Sequence, residues 1–141
     1  MLNRGRGFTL IELIAIIVIL GVIGITVSSR FTDSDIASVQ TSRDDLVAAL
    51  FFAQQKAMAQ SDITLAVSAG GVDVQQAGSS IRLHKDAYPL MFVNGVSVSP
   101  SQSYTYNKLG QITNLAATAQ LTVQKGGTSA VVTVEPSGYA Y

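Results

Sequence analysis

Cysteine is absent from this 141-residue chain, and histidine occurs once, as His84. Without cysteine there is no disulfide framework and no thiolate metal site, and the redox compartment leaves no mark on the sequence. A single histidine excludes a histidine-rich metal centre. Charge is sparse and balanced, with nine Lys and Arg against nine Asp and Glu. No block of like charge is long enough to form a nucleic-acid or membrane-surface patch, so no nucleic-acid partner is expected. A hydrolase would need a base for its nucleophile, and only His84 is available, at the end of a predicted strand beside Lys85 and Asp86. It reads as an exposed strand-end residue. The pairs Gly70-Gly71 and Gly126-Gly127 lack a Lys-Ser successor or a strand-to-helix context, so they read as turns rather than phosphate cradles. No enzyme activity, cofactor or metal is expected.

What the chain does have is a long hydrophobic run. Phe8 to Val27 is almost unbroken aliphatic sequence of about twenty residues, which as a helix at roughly 1.5 Å per residue matches the hydrocarbon thickness of a bilayer. Arg4 and Arg6 precede it and hold that end on the cytoplasmic side, leaving the chain after Val27 outside the cytoplasm. A secretory signal would place a small-residue cleavage site after the run, and Thr26-Val27-Ser28-Ser29 loosely offers one. The run is longer than a usual signal core, however, and carries Glu12 near its start. A carboxylate in a membrane segment costs about 3 kcal/mol, so it needs a partner or a role, unless it lies shallow enough to reach the headgroups.

The octapeptide Gly7-Phe8-Thr9-Leu10-Ile11-Glu12-Leu13-Ile14, behind a short basic leader, resembles the processing site of type IV prepilins and type II secretion pseudopilins. The resemblance implies cleavage between Gly7 and Phe8 by a prepilin peptidase and N-methylation of the new terminus at Phe8. It also implies that Glu12 pairs with the terminal amine of a neighbouring subunit and so sets register in a filament. An uncompensated buried carboxylate is unfavourable and a subunit in register supplies the opposite charge. One departure stands out: major pilins usually carry a helix-kinking proline at the position of Ser29, where this chain reads Val27-Ser28-Ser29-Arg30. Gly21 and Gly24 remain as points for bending or close helix packing.

From Arg30 to about Gln60, apolar residues at Ile36, Val39, Leu46, Leu50, Phe51, Ala53, Ala57 and Met58 fall at helical spacings and predict an amphipathic helix continuous with the anchor. Asp33, Asp35, Asp44 and Asp45 lack the glycine and terminal glutamate of a calcium loop and read as a solvated helix face. Beyond Ser61-Asp62, short β-branched runs separated by turn residues predict strands. They lie at Ile63–Ser68, Val72–Gln75, Ile81–His84, Leu90–Val93, Val96–Val98, Tyr104–Asn107, Gln111–Thr113, Ala119–Lys125 and Ser129–Glu135. Asn94-Gly95 is the strongest hairpin signal. The terminal Tyr139-Ala140-Tyr141 reads as the last strand of a half-buried sheet or as an aromatic contact surface.

These patterns predict an α+β fold, a long N-terminal helix packed on an antiparallel β-domain. The expected organisation is a leader at 1–7, a transmembrane or filament-core helix at 8–29, an amphipathic helix at 30–60 and a β-rich periplasmic domain at 61–141. Tyr106-Asn107-Lys108-Leu109-Gly110 before a hairpin, and Val132-Thr133-Val134-Glu135-Pro136-Ser137-Gly138 at the end, resemble GspH/FimT-type minor pseudopilins, a group that includes minor pilins of mannose-sensitive haemagglutinin pili. The resemblance implies a pilin-like structural subunit, single-pass in the inner membrane, that assembles into a pilus or primes its assembly. Implied partners are other pilin or pseudopilin subunits, the prepilin peptidase, an inner-membrane assembly platform and membrane lipid. The alternatives are a pseudopilin of a type II secretion system and, from a different class, a membrane-tethered adhesin or binding module. Removal of Met1–Gly7 would take away Arg4 and Arg6 and leave the mature subunit slightly acidic.

Overall fold

The computed structural model of the chain describes residues 9–82, 88–93 and 95–141, with the backbone alone described over 23–33. Its first element is helix α1 (Leu10–Ala59). No proline occurs before Pro89, so no residue in this stretch lacks the N–H that the helical ladder requires. The chain divides into two compact units, Met1–Ser34 and Asp35–Tyr141. In the first unit every described residue from Leu10 to Val22 is exposed. Among the described residues no helix is long and apolar enough to cross a membrane. The predicted span from Phe8 to Val27 has described side chains only as far as Val22.

In the second unit α1 buries one face: Val39, Ser42, Leu46, Ala49, Leu50, Ala53 and Ala57 are closed off from solvent. The steps of three and four keep these side chains on one stripe. Ile36, Phe51 and Met58, which share the apolar pattern, remain exposed, so the helix carries more hydrophobic surface than the core uses. Lys56 in the last turn is favourably placed against the C-terminal end of the helix dipole.

Among the described residues eight strands follow: β1 (Ile63–Ser68), β2 (Gly71–Gln76), β3 (Ser79–Ser80), β4 (Leu90–Met91), β5 (Ser97–Ser99), β6 (Gln102–Thr105), β7 (Ala119–Lys125) and β8 (Thr128–Val134). All pairings are antiparallel. One sheet runs β3-β2-β1-β6, with β4 also on β2, and the other runs β5-β7-β8. Their inward rows, Ile63 and Leu65 on β1, Val72 and Val74 on β2, Leu121 and Val123 on β7, and Val132 and Val134 on β8, join the α1 stripe in one core. This is the α+β arrangement of an N-terminal helix on antiparallel sheets. The Asn114 side-chain amide accepts from Thr105 N at 2.9 Å and donates to Ser103 O at 2.7 Å. It thereby occupies backbone groups along the free edge of β6.

Several local readings change, among them the strand predicted at Gln111–Thr113, where Ile112 makes only an isolated bridge to Tyr106. The Asn94-Gly95 turn joins no hairpin: Val96 N donates to Val93 O at 2.9 Å, but β4 pairs with β2 while β5 pairs with β7. A turn signal fixes the local reversal and not the pairing, and here Val98 N donates to Ala69 O, at the tip of the β1–β2 turn, at 3.0 Å. Asn94 itself lies outside the described residues. The strand predicted at Ile81–His84 is replaced by β3 two residues earlier, and Leu83 and His84 lie outside the described residues. By contrast, β7 and β8 close through Gly126-Gly127 with Lys125 opposite Thr128, one residue tighter than the three-residue turn expected.

Candidate assembly surfaces

Gly7 and Phe8, the expected cleavage and methylation positions, lie outside the described residues. The structure does describe the start of α1. Thr9 precedes the helix, and its backbone oxygen accepts from Glu12 N at 3.0 Å and Leu13 N at 3.2 Å. The Thr9 hydroxyl accepts from the same Glu12 N at 3.3 Å. Thr9 thus caps the helix and Glu12 stands at its third position, the spacing of a capping box. A carboxylate there also faces the positive end of the helix dipole. The sequence carried this in Thr9-Leu10-Ile11-Glu12, a local role for Glu12 that the membrane argument passed over. From Leu10 to Val22 the helix shows only apolar side chains apart from Glu12, with Leu10 77% exposed and Leu20 62%.

At the other end of α1, Gln54 ties together the two motifs that carried the second resemblance. Its amide Nε2 donates to Gly110 O and to Ser137 O, both at 3.2 Å. Asn107 organises the first motif, its Oδ1 accepting from Leu109 N and Gln111 N, both at 2.9 Å. Ile112 N donates to Pro136 O at 2.9 Å and joins the first motif to the second. Gly110 and Gly138 both have positive φ, +78° and +87°. A Cβ on Gly138 would fall on the Gly110 carbonyl oxygen, and one on Gly110 would lie 2.9 Å from Gln54 Cγ. Glycine is required at both positions, for backbone conformation and for space.

Beside this knot runs an apolar groove of about 310 Å³, lined by Asp44, Val47, Ala48 and Phe51 of α1 and by Gly138 and Ala140 of the C-terminal segment. That segment extends the second sheet: Val134 bridges to Ala140, and Thr133 and Tyr141 exchange backbone hydrogen bonds at 2.8 and 3.0 Å. Tyr139 and Tyr141 are half exposed, with ring centroids 5.6 Å apart. The sheet-strand reading of Tyr139-Ala140-Tyr141 therefore holds, with both rings left at the surface.

The side chain of Asp33 lies outside the described residues, and the other aspartates of α1 do not converge. Asp35 Oδ1 lies 3.4 Å from Lys125 Nζ, which also donates to Ser38 Oγ at 3.2 Å, fastening α1 to the β7–β8 hairpin. Asp44 pairs along the helix with Arg43 at 3.2 Å. Among the described residues no three His, Cys, Asp or Glu side chains form a metal-binding group. Three tyrosines are perturbed. Burial raises Tyr104, burial and the neighbouring Asp45 raise Tyr88, and burial with the adjacent Tyr104 pushes Tyr106 well above the ordinary phenol range. Tyr106 Oη is buried without a hydrogen-bond partner.

Residues 2–28 match the family model of the prokaryotic N-terminal methylation motif. The match supports a type IV pilin-like precursor whose leader implies membrane anchoring. No curated protein and no solved structure matches the chain.

Proposed function

From a chain that carries the N-terminal methylation motif of type IV pilin-like precursors, we propose a minor pilin-like structural subunit that assembles into a pilus or primes its assembly. The observation that carries this reading is the combination of that motif with the exposed apolar helix behind it. Aliphatic side chains over Leu10–Val22 are unfavourable in water at roughly 1.5–3 kcal/mol for each large one buried elsewhere. They need lipid before assembly and other helices after it. The role is structural rather than catalytic.

In this reading a prepilin peptidase cuts between Gly7 and Phe8, Phe8 is N-methylated, and an inner-membrane platform moves the subunit from bilayer to filament. The β-domain lies on the periplasmic side. Glu12 acts twice: it sits in the capped first turn of α1, and it offers its carboxylate to the terminal amine of a neighbour in register. A pseudopilin of a type II secretion system would use the same parts, and the genes beside this one distinguish the two.

The test is the intact mass and N-terminal sequence of the membrane-extracted protein made together with a prepilin peptidase. A methylated terminus at Phe8 is expected. An intact Met1 terminus, or cleavage near Ser28, removes the filament reading. Given the Phe8 terminus, Glu12→Ala should be cleaved normally and yet be lost from sheared filaments. Normal incorporation would end the register role.

A further inference from the structure

Beyond the filament reading and independent of it, we propose that the outward face of the β5-β7-β8 sheet binds a neutral oligosaccharide. The register places the face. Leu121, Val123, Val132 and Val134 point into the core, so the residues between them point away from it. Gln120 then lies opposite Thr133 and Thr122 opposite Val131, with Gln124 at the next outward position on β7. The C-terminal segment adds an aromatic row. Ala140 bridges to Val134 and packs against the core, which turns Tyr139 and Tyr141 outward, with Tyr141 beside Thr133 through their paired backbone hydrogen bonds.

Charge narrows the choice of ligand. A sheet face that is merely solvated ordinarily mixes Lys, Arg, Asp and Glu. Here β5, β7 and β8 hold one charged residue, Lys125, which lies in the inward row and is engaged by Asp35 and Ser38. Glu135, at the margin, accepts from Ser137 Oγ at 3.2 Å. A phosphate, a sulfate or a sialic acid finds no cation on this face, and a basic ligand finds one carboxylate already engaged.

Hydrogen bonding points the same way. On the first sheet Asp73 takes up its neighbours, accepting from Gln75 Nε2 and Ser80 Oγ at 2.8 Å each. On the second, among the described residues, no hydrogen bond engages the side chains of Gln120, Thr122, Gln124 or Thr133. Amides and hydroxyls both donate and accept, as sugar hydroxyls do. The rings supply an apolar platform. Tyr139 is 58% exposed and Tyr141 51%, with ring centroids 5.6 Å apart, close to the length that one hexose adds to an extended chain. A pyranose lays its C–H face on an aromatic ring and keeps its hydroxyls at the rim, where the amides and hydroxyls stand. A protein partner would need an apolar anchor, and Val131 is the one exposed aliphatic side chain among the described residues of this face.

For the test, the full-length chain, held in a detergent without a sugar headgroup, is applied to an array of immobilised neutral oligosaccharides built from hexoses and N-acetylhexosamines, beside sialylated and sulfated ones. Retention on a neutral oligosaccharide is expected. Tyr141→Ala and Gln120→Ala, both at exposed positions, should weaken it about tenfold, while Tyr141→Phe, which keeps the ring, and Thr105→Ala, on the outward side of the first sheet, should stay within about twofold. Thermal unfolding followed by far-ultraviolet circular dichroism should be the same for all four, which separates lost binding from lost fold, and Gln120→Ala carries the test should Tyr141→Ala unfold. Retention of none of the neutral oligosaccharides, retention of acidic ones alone, or a folded Tyr141→Ala or Gln120→Ala chain that binds like the parent overturns the proposal. So does a Tyr141→Ala chain that is lost from filaments while the parent holds no sugar, which would make the face a subunit contact and leave the filament reading standing.

Discussion

The two stretches of α1 use hydrophobicity in opposite ways. From Leu10 to Val22 the sequence is almost wholly aliphatic and every described side chain is exposed. From Asp35 to Ala59 it is mixed, and yet seven positions on one face are closed off from solvent. Burial in this chain follows periodicity rather than total apolar content. A 3.6-residue stripe can be covered by one pair of sheets, whereas a helix apolar all round demands a surrounding medium. The second stretch is satisfied by its own chain. The first is a claim on lipid or on other subunits.

The largest expected effect sharpens that contrast. Leu50 is fully buried in the core that α1 shares with the sheets, and Leu50→Ala should cost about 2–5 kcal/mol of unfolding free energy for the β-domain. Ile17 is 61% exposed, and Ile17→Ala should change the same transition by no more than about 0.5 kcal/mol. Chemical denaturation of the detergent-extracted chain, followed by near-ultraviolet circular dichroism of the tyrosines, measures both. Equal losses would mean that the N-terminal stretch belongs to the same cooperative core, and the contrast would collapse.

A second effect probes what holds the satisfied half in place besides apolar contact. Gly138→Ala puts a side chain where φ is +87° and against the Gly110 carbonyl, so a loss of at least about 2 kcal/mol is expected. Gln54→Ala leaves the Gly110 and Ser137 carbonyls without their shared donor, at a cost of about 1–3 kcal/mol. Gly127→Ala is the control: a Cβ there meets nothing, and the change should stay within about 0.5 kcal/mol. If all three melt alike, the two motifs are ordinary loops and Gln54 is not the tie between them.

What the sequence made legible follows from the range of each interaction. The helix, β1, β7 and the Gly126-Gly127 turn depend on period and on local chemistry, and they were readable from residues alone. So was the antiparallel α+β class, because no strand–helix–strand alternation is present. The partners of β4 and β5 were not readable. The chain does reverse between Val93 and Val96, but which sheet each short strand joins is decided by Val98 reaching Ala69 and by β7, far along the sequence. At the N-terminus the motif was legible as residues in order, and the capping spacing of Thr9 and Glu12 was present in it but overshadowed by the membrane argument until the Thr9 geometry showed the cap. The knot at Gln54 was half legible: both loops were singled out, but a glutamine in mid-helix gives no sign that it will meet both.

The smallest expected effect lies where the satisfied half breaks its own rule. Tyr106 is 5% exposed, and its hydroxyl has no hydrogen-bond partner in the core. A buried hydroxyl without a partner is unfavourable, so Tyr106→Phe should be neutral or stabilising by up to about 1 kcal/mol at neutral pH. The pH dependence has a definite sign. Burial raises the phenol above its ordinary value of 10.0, so the unfolded chain releases the proton first. The stability that depends on the neutral phenol is complete below pH 10 and is lost as pH rises beyond it. Tyr104 and Tyr88, raised in the same direction, add to the loss. Denaturant titrations at a series of alkaline pH values should therefore show stability falling above pH 10, less steeply in Tyr106→Phe. A destabilised Tyr106→Phe at neutral pH would mean that the hydroxyl has a partner after all, leaving Asp73 Oδ1 as the unsatisfied buried atom among the described residues.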